Sequence, residues 1–108
     1  METGLVVQAV KEVASSVNVL MSNQKARNIV KRGELDLLRT KIKHALHKAH
    51  YDSSFELLSE NLANMKKIVD QIEGYNFSPE MRKVAFRQLY TLNNRLEKNL
   101  EEFSSDIF

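Results

Sequence analysis

Apolar residues recur along this chain at intervals of three and four. Val6, Val10, Val13, Val17 and Leu20 follow a 4-3-4-3 spacing, and Leu35, Leu38, Ile42, Ala45 and Ala49 follow 3-4-3-4, with Leu46 widening the stripe. Phe55, Leu58, Leu62, Met65, Val69 and Ile72 form a third run. Ala85, Leu89, Leu92, Leu96 and Phe103 form a fourth, with Asn99 or Leu100 filling its gap. Side chains three and four positions apart stack on one face of an α-helix. No segment alternates with period two, so no sheet is predicted. The expected helices are 4–22, 34–51, 54–73 and 79–104. The fold class that follows is all-α: an antiparallel bundle of three to four helices with near-heptad packing, completed by oligomerisation.

The residues between the stripes support these boundaries. Ser53 and Glu56 have the S-x-x-E spacing of a capping box. Gly74 follows the third stripe, where a left-handed C′ residue is expected. Ser78, Pro79 and Glu80 read as N-cap, N1 and N2 of the next helix. The four residues 74–77 thus join two antiparallel neighbours, a hairpin over about 53–104. In the first half, Gly33 alone interrupts residues 5–51. It is expected either as a C′ residue after Lys31 and Arg32 or inside one long helix. The first two stripes do not share a register, because continuing from Leu20 would put Gln24, Arg27 and Lys31 at core positions. That favours a break or bend near residues 23–33. The whole chain reads as a single helical domain, 1–108, with an apolar N-terminal helix (about 4–22) and a basic helical segment (about 24–51) ahead of the hairpin. The final residues, 104–108, are expected to fray.

Composition narrows the class further. The 108 residues are 43% apolar, too apolar for a disordered chain. Three Gly and one Pro are too few for a turn-rich β-sandwich. No Cys is present, which removes disulfides, thiolate metal sites and a cysteine nucleophile. No uninterrupted run approaches the roughly 18 apolar residues of a membrane span. The opening Met-Glu-Thr-Gly has no basic n-region, and Lys11 and Glu12 interrupt the stretch behind it. A cytoplasmic location is therefore expected. Residues 5–21 hold six Val, which are weak helix formers, so this helix needs a surface to pack on. Its single Lys and lack of aromatic residues argue against a membrane surface as that partner.

Charge is unevenly distributed. Residues 24–51 carry eight Lys/Arg against Glu34 and Asp36, whereas residues 52–108 carry seven basic and ten acidic side chains. The basic set, Lys25, Arg27, Lys31, Arg32, Arg39, Lys41, Lys43 and Lys48, could follow a nucleic-acid backbone or lie against an acidic helix of the same bundle. His44, His47 and His50 stand at three-residue intervals, so adjacent members differ by about 60° around a helix and the outer two by about 120°. One rigid helix does not converge all three on a metal, and Lys43 and Lys48 interleave them, so no metal site is expected.

Arg39 and His44 are separated by four residues. This R-x4-H resembles, over six residues, the short motif of HEPN-type RNases. Those are helical bundles that act as dimers, and the resemblance implies Arg39 and His44 acting on an RNA phosphodiester. The chain has no G-x-S-x-G, no H-E-x-x-H and no Gly-rich phosphate loop. Val7, Val19, Leu37 and Phe86 lie off the main stripes and suggest a second buried face or an interface.

The function expected from these features is a small, non-enzymatic interaction or assembly protein. It would act through helix packing with itself, as a homodimer, or with a protein partner, and Val7, Val10, Val17 and Leu20 are its expected contacts. The alternative is a nucleic-acid-associated regulator using the basic 25–48 face, and a further one is an RNase using Arg39 and His44. No cofactor, membrane or small-molecule substrate is expected.

Overall fold

The computed structural model describes residues 2–22, 32–50, 55–74 and 78–107, with side chains placed for 4–22, 33–50, 55–72 and 78–102. Four helices follow in chain order: α1 (Glu2–Ser22), α2 (Arg32–His50), α3 (Glu56–Gly74) and α4 (Pro79–Ile107). No strand occurs among the described residues. α1 packs on α2 and α4, and α3 packs on the same two, while among the described residues the backbones of the diagonal pairs α1/α3 and α2/α4 stay more than 8 Å apart. The helices thus close a ring around one core, the all-α antiparallel bundle that the spacing predicts. The long axis of 42 Å matches α4, whose 29 residues span about 43 Å at 1.5 Å per residue.

The core is made of the apolar stripes. Every member of the second and third stripes, from Leu35 to Ala49 and from Phe55 to Ile72, is buried. In α1, Val6, Val10, Val13 and Val17 are buried and Leu20 is half-buried. Five of the six Val that make α1 weak on its own are buried by this docking in cis, against α2 and α4. In α4 the seam departs from the expected one. Ala85, Phe86, Leu89, Leu96 and Leu100 are buried, Leu92 is half-buried, and Asn93 is fully buried in its place. Leu100, not Asn99, fills the gap.

Boundaries fall close to the expected ones, with local corrections. α1 is described to Ser22 and α2 from Arg32, so Gly33 lies within the described α2, while residues 23–31, where the break is expected, lie outside the described residues. Gly74 is the last described residue of α3, where it is expected to follow the helix. α4 continues to Ile107, past the expected end at 104. Ser53 of the expected capping box lies outside the described residues. The start of α4 is capped as its sequence requires. Ser78 Oγ accepts a hydrogen bond from the N–H of Met81 at 3.2 Å, and its carbonyl accepts from Arg82 N–H at 3.0 Å. Ser78→Ala is expected to cost about 1 kcal/mol, read as a lower urea midpoint with an unchanged slope. An unchanged midpoint would show that this cap contributes nothing.

Across 19 residues, Gly4–Ser22, α1 has a mean hydropathy of 1.2, long and apolar enough to cross a membrane by length and composition. An uninterrupted-run criterion misses this because Lys11 and Glu12 split the stretch while its many Val lift the average. In the bundle the valine stripe is turned inward onto α2 and α4.

Candidate functional site

Between α1 and α2 lies a cleft of about 360 Å³. On α1, Ser15, Ser16, Val19 and Leu20 line it. On α2, Leu38 lies at the base and Leu37 on the rim. Val19 is 67% and Leu37 is 56% exposed, so two branched aliphatic side chains flank this opening in water. The polar rim carries both signs: Glu12 and Glu34 are exposed, and Lys41 is half-buried. Ser16 ties the two helices here. Its hydroxyl donates to the Glu12 carbonyl at 2.9 Å and accepts from Lys41 Nζ at 3.0 Å. The ammonium is thereby held beside the cleft.

The residues expected as contacts divide between core and cleft. Val7, Val10 and Val17 are buried within the chain's own bundle, and Leu20 is half-buried and lines the cleft. Of the four off-stripe residues, Val7 and Phe86 are buried, whereas Val19 and Leu37 are exposed. The basic set is dispersed. Lys25, Arg27 and Lys31 lie outside the described residues, as does the side chain of Arg32. Arg39 is engaged by Asp36 on its own helix and by Asp70 on α3, both at 3.2 Å, and Lys66 joins Asp70 at 2.8 Å. Lys41 is bonded to Ser16, Lys43 is exposed and Lys48 is half-buried.

Arg39 and His44 are not brought together. Five positions on a helix turn through about 500°, which leaves them about 140° apart. Arg39 reaches across to α3, while His44 faces solvent. His47 and His50 are also exposed. Among the described residues no group of three His, Asp or Glu side chains is placed to hold a metal ion.

Pattern reading missed Asn93. Its amide nitrogen faces three oxygens: the carbonyl of Ala14 at 3.3 Å, Asn18 Oδ1 at 3.2 Å and Glu97 Oε1 at 3.3 Å. Asn18 Nδ2 in turn donates to Glu97 Oε1 at 2.7 Å. This network spans the contact between α1 and α4, the one seam that joins the two ends of the chain. Asn93 Oδ1 is buried without a hydrogen-bond partner. The available signal was positional: Asn93 continues the 3-4-3-4 run of Phe86, Leu89, Leu96 and Leu100. No protein-family profile, no curated protein and no solved structure matches this chain.

Proposed function

We propose that this protein is a non-enzymatic helical interaction module that pairs with a second copy of itself through the α1/α2 cleft. The observation that carries this is the exposure of Val19 and Leu37 on either side of an apolar-based opening. Exposed apolar side chains grouped around a concavity and rimmed by polar residues favour an interface, because covering them removes apolar surface from water. The rim supplies the choice of partner. In a two-fold contact the same patch meets itself, so it must be self-complementary. Glu12 and Glu34 beside Lys41 meet that requirement: rotated by two-fold symmetry, the lysine of each copy can face a carboxylate of the other.

The test is light scattering after size exclusion across a concentration series, on the wild-type chain and on Leu37→Asp. Leu37 is more than half exposed, so the substitution should move stability by no more than about 0.5 kcal/mol. The expected result is a dimer for wild type and a monomer of unchanged helix content for Leu37→Asp. A wild-type chain that stays monomeric throughout the series, or a Leu37→Asp chain that dimerises equally well, overturns the reading.

A further inference from the structure

A second groove, of about 470 Å³, lies between α3 and α4. Half-buried Ile68 and Leu92 contribute its apolar lining, and Lys67, Arg87 and Arg95 surround them. No acidic side chain lines it. None of these three cations makes an ion pair among the described residues. This runs against the local composition, because residues 52–108 hold more acidic than basic side chains. Two of the nearby acids are turned elsewhere. Asp70 is held by Arg39 and Lys66 toward α2, and Glu97 is held by Asn18 and Asn93 toward α1. The groove therefore gathers positive charge that these carboxylates do not neutralise.

We infer that the α3/α4 groove docks an acidic amphipathic helix of a partner protein. Three features select this occupant. The lining is apolar between cations, which suits a helix with an aliphatic stripe flanked by carboxylates. Arg87 and Arg95 are eight positions apart, about 12 Å along α4, the separation of carboxylates two turns apart on a facing helix. The same face also extends along α4. Met81, Val84, Gln88, Thr91 and Arg95 follow a 3-4-3-4 spacing, and Met81 and Val84 are each 52% exposed. A second copy of this chain is disfavoured, because in a two-fold contact the single-signed groove would face its own cations. A nucleic acid is disfavoured too: no aromatic side chain lines the groove to stack a base, and phosphates make no use of an apolar base.

The probe is a fluorescently labelled helical peptide with leucines on one stripe and glutamates on both flanks, titrated with the full chain and followed by anisotropy. Two control peptides accompany it, one with serine replacing leucine and one with lysine replacing glutamate. A labelled RNA and a labelled DNA duplex are titrated in parallel. Saturable binding of the acidic peptide is expected, weakened about tenfold or more by Arg87→Glu with Arg95→Glu, both exposed positions. The serine peptide should bind about tenfold more weakly, and the lysine peptide not at all. Leu37→Asp should leave peptide binding unchanged, which separates this site from the α1/α2 cleft. The inference is overturned if the acidic peptide does not bind, if the double charge reversal leaves its affinity intact, or if either nucleic acid binds the groove more tightly than the peptide. Failure of the chain to dimerise would leave it standing.

Discussion

Asn93→Asp is expected to destabilise the fold by about 3 kcal/mol or more at neutral pH, because it buries a charge with no cation beside it. The three atoms within hydrogen-bond distance of the Asn93 amide nitrogen are all oxygens, from Ala14, Asn18 and Glu97. An aspartate would turn acceptor toward acceptor and set a second carboxylate against Glu97. The pH dependence follows from burial. The new carboxyl is held neutral more easily in the folded chain than in the unfolded one, so its folded-state titration is raised. The penalty is therefore full above the raised range and fades as the pH falls through the ordinary carboxylate range. Urea melts of wild type and variant should converge at acid pH and separate at neutral pH. Asn93→Leu is the control: it also removes the unpartnered Oδ1, while Asn18 and Glu97 keep their mutual bond at 2.7 Å. Its stability should stay within about 1.5 kcal/mol of wild type. An Asn93→Asp chain as stable as wild type at neutral pH would refute the buried-donor role.

A chain beginning at Gly33, and so lacking α1, should lose the cooperative fold altogether. Val6, Val10, Val13 and Val17 are essentially fully buried. Each is worth at least about 1.5 kcal/mol when removed from water, so together they rival the roughly 5–15 kcal/mol net stability of a small domain. Their loss uncovers the faces of α2 and α4 against which α1 packs. Circular dichroism should show a broad melt without a sharp midpoint, and light scattering should show aggregation. A soluble truncated chain with a sharp thermal transition would mean that α1 is an appendage and that α2–α4 form the domain.

The fold was largely legible because its signal is periodic. The second and third stripes are buried member for member, since a 3.6-residue period and an apolar face suffice to place a helix against a core. The fourth stripe shifted because hydrophobicity favours Leu92 over Asn93, although the spacing of Phe86, Leu89, Leu96 and Leu100 already puts position 93 on their face. A different reason divides Val7 and Phe86 from Val19 and Leu37: which flank of a stripe is covered depends on which helix lies beside it. Docking of α1 in cis was unreadable because its stripe would be the same against any partner. Charge behaved in the opposite way to its distribution along the chain. The conspicuous basic segment places Arg39 beside Asp70 and Lys41 beside Ser16, whereas Lys67, Arg87 and Arg95, far apart in an acidic half, converge. Counting charge along a sequence cannot see across helices.

An even number of antiparallel helices has a consequence for how the molecule presents itself. α1 begins and α4 ends at the same pole of the bundle, the pole toward which α2 ends and α3 begins. α1 ends and α2 begins, and α3 ends and α4 begins, toward the other pole. The α1/α2 cleft is built from the second half of α1 and the first half of α2, so it sits toward the pole away from both termini. A segment joined to either terminus, or to both, would leave from one side without crossing this opening. The bundle thus has two distinct ends, one that carries both termini and one toward which the α1/α2 cleft opens.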